Sequence, residues 1–173
     1  MLNILMLKHL IRMELSLKMS IHYKGTKEEV SALDCFIKLL RASESVNAAA
    51  VRQIQANGLT ESQFGVLEAL LHLGTLNQNQ LAGKILKSGG NITLVIDNLL
   101  KHGLVVKEKR SDDRRCYWIS LSERGKELIS RIFPEHVRII TGRFAALDSE
   151  EQKQLALLCR KLGTAANHQE EEK

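Results

Sequence analysis

Residues 88–121, SGGNITLVIDNLLKHGLVVKEKRSDDRRCYWISL, place a helix and a hairpin in direct succession. Ser88 stands where a helix cap belongs, and Ile92, Val95, Ile96 and Leu99 behind it recur on one helical face. The pattern stops at His102-Gly103, where glycine suits the left-handed residue that ends a helix. Two strand-like runs follow, 104–110 and 115–121, on either side of the polar tip Ser111-Asp112-Asp113-Arg114. Alternation turns Tyr117, Ile119 and Leu121 inward and leaves Cys116, Trp118 and Ser120 on the other face.

Upstream lie two more short helices. Thr60-Glu61-Ser62-Gln63 has the form of a capping box, and the helix behind it carries Phe64, Leu67, Leu70 and Leu71 as far as Gly74. Asn77-Gln78-Asn79-Gln80 opens a second, with Leu81, Ala82 and Ile85. Three short helices and a hairpin predict a winged helix-turn-helix over 59–121, in a mainly α fold with a small β-hairpin wing. Long helices flank it. One, within 27–56, carries Val30, Leu33, Phe36, Ile37, Leu40, Val46, Val51 and Ile54 and stops at Asn57-Gly58. The other region, 122–165, starts at Ser122-Glu123 and runs through Ile129, Ile132 and Phe133, with Pro134 expected to kink it. A last helix is capped near Asp148-Ser149, with Gln152 completing the box, and bears the stripe Leu155, Leu158, Cys159 and Leu162. Leu33, Phe36, Ile37 and Leu40, with Leu155, Leu158 and Leu162, exceed what a small winged domain covers, so they are expected to form a dimer interface. The alternative is an intrachain helical hairpin.

Composition sets the outer bounds. The 173 residues are 44% hydrophobic and 26% charged, which is ordinary for a globular chain. A net charge of +5 suits a polyanion or simple solubility, and part of the excess sits in residues 1–18. That stretch is apolar but charge-interrupted, neither a membrane span nor a signal core, and Met19 offers an alternative start. Residues 1–24 are therefore expected to be a disordered or artefactual extension, 25–165 the domain, and 166–173 a disordered tail. The three cysteines, Cys35, Cys116 and Cys159, have no metal-ligand spacing, which fits free thiols in a cytoplasmic protein. No nucleophile elbow, phosphate loop, HExxH or paired-carboxylate signature is present. No enzyme activity, cofactor, metal or membrane partner is expected.

The start of the third helix, Lys87, Ser88, Gly89, Gly90, Asn91, Ile92, Thr93, suits a major groove. Its glycines permit close backbone approach, and free N–H groups at the helix start favour phosphate. A plain glycine-rich turn is the alternative. The hairpin, with Lys107, Lys109, Arg110, Asp113, Arg114 and Arg115, suits a wing that sends an arginine into a narrow minor groove, and a solvated turn with local ion pairs is the alternative.

These residues together resemble the MarR family of multiple-antibiotic-resistance regulators. The resemblance rests on Leu59-Thr60-Glu61-Ser62-Gln63-Phe64, Leu81-Ala82, Ile96-Asp97-Asn98-Leu99, Gly103-Leu104-Val105, Asp113-Arg114-Arg115 and Ile119-Ser120-Leu121-Ser122-Glu123-Arg124-Gly125. It implies a homodimer on double-stranded DNA, with winged modules in successive major grooves of a pseudo-palindromic operator, acting as a repressor. It makes Arg115 the minor-groove finger and Asp113 the residue that orients it. Where many members carry an arginine on the recognition helix, this chain has Leu94, which suits a thymine methyl or internal packing. The resemblance further implies release by a small phenolic or quinone-like aromatic ligand, or by thiol modification at Cys35. Against the latter, Leu39 and Ala49 stand where sensor relatives place tyrosines, which favours a buried structural Cys35. Cys159 is expected in the core. The competing reading is a winged-helix protein-interaction module without specific DNA binding.

Overall fold

A computed structural model describes residues 23–85, 89–109 and 117–170. The elements run α1 (Lys27–Ala56), α2 (Glu61–Leu73), β1 (Leu76–Asn77), α3 (Gln78–Lys84), α4 (Gly89–Lys101), β2 (Val105–Lys109), β3 (Tyr117–Leu121), α5 (Glu123–Phe144) and α6 (Ser149–Glu170). The chain divides into two units, Met1–Ser45 and Val46–Lys173, with the break inside α1.

In the first unit, the described residues open α1 with a reciprocal cap. The Thr26 backbone N–H donates to Glu29 Oε2 at 2.8 Å, and Thr26 Oγ1 accepts from the Glu29 N–H at 3.2 Å. Leu33, Phe36, Leu39 and Leu40 are exposed along this stretch, and Lys38 pairs with Asp34 one turn away.

In the second unit, α2, α3 and α4 pack around one core and the sheet closes it. Both sequence-predicted capping boxes form: Thr60 with Gln63, and Asn77 with Gln80. The core is Val66, Leu67, Leu81, Ile92, Ile96, Leu99, Ile119 and Ile129, all essentially without solvent contact. Most come from the periodic positions of their helices, which is why hydrophobic spacing located them. The sheet order is β1-β3-β2, antiparallel throughout, with Leu76 opposite Ile119 and Val105 opposite Leu121. The two-residue β1 is an addition to the predicted hairpin, too short to carry an alternation pattern.

The junction between α4, β2 and α5 is tight. Gly103 takes φ +64 and ends α4, with the Leu104 N–H bonded to Leu99 O at 2.9 Å. Ser122 Oγ donates to Gly103 O at 2.7 Å and accepts from the Gly125 N–H at 3.0 Å. A Cβ on Gly125 would lie 1.9 Å from Leu104 O, so only glycine fits there. The helix α5 is continuous through Pro134.

One expectation about the last helix needs correction. Glu151, not Gln152, completes the cap on Asp148, its Oε2 accepting from the Asp148 N–H at 2.8 Å. Gln152 instead donates to the carbonyls of Phe144 and Leu147, both at 3.0 Å, and ties the turn to α5. Three residues after a cap is the box position, and counting from Asp148 rather than Ser149 gives Glu151. The helical backbone of α6 runs to Glu170.

Candidate nucleic-acid interface

Helix α4 has two unlike faces. Ile92, Val95, Ile96 and Leu99 are buried, and on the opposite side Asn91, Leu94, Asp97 and Lys101 are exposed. The outward residues recur every three or four positions, so they form one strip along the helix. Leu94, at 63% exposure, is the strip's one large apolar side chain. Asn98 beside it is tied to its own helix, its amide donating to Leu94 O at 2.9 Å. Thr93 is half-buried and its hydroxyl accepts a hydrogen bond from the Gln78 amide at the start of α3. Gly89 and Gly90 form the first turn of α4, with no side chain to hold a ligand away from the backbone.

The base of the wing is cationic. Lys107 faces Ile119 and Lys109 faces Tyr117 across the β2–β3 pair. Both ammonium groups sit over the Tyr117 ring, at 4.3 Å for Lys107 and 5.1 Å for Lys109. Tyr117 shares the face of Ile119, as alternation predicts, but is 41% exposed rather than buried. On the same face Ile119 is buried and Leu121 half-buried.

Of the sequence-predicted DNA contacts, Gly89, Gly90, Asn91, Thr93 and Leu94 share the first half of α4, and Lys109 ends β2. Lys87, Ser88, Arg110, Asp113, Arg114 and Arg115 lie outside the described residues. Sequence reasoning did not single out Gln78 or Asp97. The sequence gives Gln78 only a place in a capping box, and Asp97 only a place in the family resemblance. The helical-wheel position of Asp97, one turn beyond Leu94, was the available signal.

Away from this surface, both described cysteines depart from expectation. Cys35 is exposed, not buried, and Cys159 is exposed, not in the core. The reason for Cys159 is that every described side chain of α6 from 149 to 164 is exposed, so its apolar stripe is uncovered within the chain. Among the described residues no group of three or more His, Cys, Asp or Glu could hold a metal ion, and no helix is long and apolar enough to cross a membrane.

Two other features of the second unit are candidate control points. A cleft of about 550 Å³ opens between the α1–α2 turn, the end of α4 and the start of α5, with Gln63, His102, Arg124 and Arg131 among its walls. Elsewhere, His136 on α5 packs its ring 4.5 Å from that of Phe64, and Phe133 packs against His72 at 4.8 Å. Burial holds the His136 pKa below the usual histidine value, and the Glu68 charge opposes that shift.

A family model described as MarR family matches residues 59–117, from the end of the α1–α2 turn to the first residue of β3. The uncharacterized HTH-type transcriptional regulator YkoM of Bacillus subtilis (strain 168) is 33% identical over 143 residues, 82% of this chain and 93% of that protein. The HTH-type transcriptional regulator MhqR of the same strain is 33% identical over 135 residues, 78% of this chain and 93% of its own length. Among solved structures, BpsR of Bordetella bronchiseptica, whose DNA binding is regulated by 6-hydroxynicotinic acid, matches with a TM-score of 0.67 at 25% identity. That match covers 75% of this chain and 98% of BpsR.

Proposed function

The chain belongs to the MarR family, DNA-binding transcriptional regulators and not enzymes, and on that premise we propose that it is a homodimeric repressor of a pseudo-palindromic operator, released by a small aromatic ligand. The observation that carries the reading is the outward strip of α4, polar around Leu94 and backed by core. A helix so divided is anchored on one side and free to enter a major groove on the other. Gly89, Gly90, Asn91 and Leu94 are the groove-facing set, with Lys87, Ser88 and Thr93 completing the helix start. Lys109, Arg110 and Arg114 follow the backbone along the wing, and Arg115, oriented by Asp113, enters the minor groove.

The domain that does this spans 25–165, with 1–24 and 166–173 outside it. Its dimer interface uses Leu33, Phe36, Ile37 and Leu40 on α1, and Leu155, Leu158 and Leu162 on α6. Six of these seven are exposed in the single chain, Leu158 at 65% and Phe36 at 57%, and Ile37 is half-buried. Apolar stripes of that kind are what a second copy covers.

The ligand reading draws on the 550 Å³ cleft, whose arginines and His102 suit the carboxylate of an aromatic acid, with Leu59, Leu104 and Leu128 supplying apolar wall. BpsR, regulated by a hydroxylated aromatic acid, supports that class. A second route is thiol modification. Cys35 is exposed and falls on the opposite side of α1 from the Leu33–Leu40 stripe, so dimerisation leaves it accessible.

Mobility shift with genomic fragments tests the core of the proposal. Bound affinity should fall steeply with salt, because lysines and arginines release counterions from phosphate. An affinity that ignores salt would contradict a phosphate-led interface. Addition of hydroxylated aromatic acids should release the complex, and Arg131→Gln should blunt that response while leaving ligand-free binding intact.

A further inference from the structure

We infer that Leu94 is the specificity residue of α4 and reads the C5 methyl group of a thymine in the major groove. This rests on the reading of the chain as a sequence-specific DNA-binding regulator and adds the chemical group that is read.

Leu94 takes no part in the core. Its neighbours Ile92, Val95 and Ile96 are 0%, 8% and 1% exposed and supply the core contact of this turn. Leu94 points the other way, at 63% exposure. It has no polar atom, so it can hold neither phosphate nor a base-edge donor or acceptor. The thymine methyl is the one apolar group that the major-groove edge of a base pair offers.

The surroundings decide the occupant. Asn91, Asp97 and Lys101 flank Leu94 along the outward side of α4, and all three are polar and exposed. A protein partner of useful affinity needs a contiguous apolar centre, which this strip lacks. A major groove offers the converse, hydrogen-bonding edges punctuated by single methyl groups. One leucine between an amide and a carboxylate matches that texture. Asn91, one turn toward the helix start, is placed to pair with an adenine edge, and Asp97, one turn beyond, to accept from a cytosine amine. Leu94 therefore specifies a T·A pair between them.

The test begins with in vitro selection of a duplex by the full chain. Each thymine of the selected site is then replaced singly by deoxyuridine, which deletes only the methyl group. At one symmetric pair of positions the substitution should weaken wild-type binding about fourfold per half-site, the value of one buried methyl. Leu94→Ala should lose that same sensitivity and keep the wild-type melting temperature. Leu94→Arg should move the preference at that position from T·A to G·C, because arginine pairs with guanine O6 and N7. Deoxyuridine tolerated at every position, or Leu94→Ala still penalised by it, would overturn the inference while leaving the regulator reading intact. Failure of the wild-type chain to enrich any duplex would overturn the regulator reading itself, and this inference with it.

Discussion

His136 shows how one side chain can tie stability to pH. Its ring lies against Phe64, burial favours the neutral imidazole, and the native pKa is lowered below the ordinary value of about 6.5. The unfolded chain therefore binds a proton more readily than the folded one. Stability is complete above the unfolded pKa and is lost as pH falls through it toward the lower native value. The melting temperature should drop between about pH 7 and pH 5, and His136→Leu should flatten that slope; an unchanged slope would assign the effect elsewhere. On α4 the residues separate in another way. Asn91→Ala should lose discrimination between the operator and its single-base variants, by about 1–3 kcal/mol for a good direct contact. Thr93→Ala should lower the melting temperature as well, since its hydroxyl holds Gln78. Arg115→Ala should weaken binding to most sequences alike, as a backbone-shape contact does. Affinities and melting temperatures measured on the same three variants check all of this together. If Arg115→Ala leaves every DNA unaffected and Asn91→Ala changes only stability, the docking geometry is wrong.

At the scale of elements, the α4–β2–α5 junction sets the strictest demand. Gly125→Ala would drive a methyl into Leu104 O, a backbone atom that cannot yield easily. It should cost at least about 2 kcal/mol, read as a lowered melting temperature. Gly142 in the same helix meets nothing within 4 Å, and Gly142→Ala should gain about 0.5–1 kcal/mol from reduced backbone freedom. The two substitutions look alike in sequence, and their opposite signs depend on packing. The same distinction explains what was legible beforehand. Helix positions, both capping boxes and the buried stripes of α2, α4 and α5 follow from local spacing, which the chain carries within a few residues. Solvent exposure of Tyr117, Cys35 and Cys159 does not, because it depends on whether another element arrives to cover them. Alternation gives Tyr117 its face of the sheet but not its cover, and what lies over its ring is two lysines. The bond from Gln78 to Thr93 joins two helices across fifteen residues, and no local pattern encodes it.

For the whole molecule, the governing question is what covers α6. Leu155, Leu158 and Leu162 form a stripe on a helix whose described residues up to 164 are all exposed. Light scattering at roughly micromolar concentration should give a dimer, and Leu158→Glu with Leu162→Glu should give a folded monomer. That monomer should bind the full operator at least about tenfold more weakly, because the second half-site no longer gains from local concentration. A wild-type monomer that still binds the palindrome tightly would overturn the interface. Within each copy, the two faces of α4 answer to different selective pressures. Ile92, Val95, Ile96 and Leu99 are buried in the core, and Asn91, Leu94 and Asp97 are exposed. Thr93, tied to Gln78, is where the two meet. On the proposed reading, a duplicated copy of this chain drifts to a new address on the genome through three exposed side chains, with the buried face of α4 untouched. Divergence of regulators on this scaffold is cheap for the reason that the helix was built with its stability and its vocabulary on opposite sides.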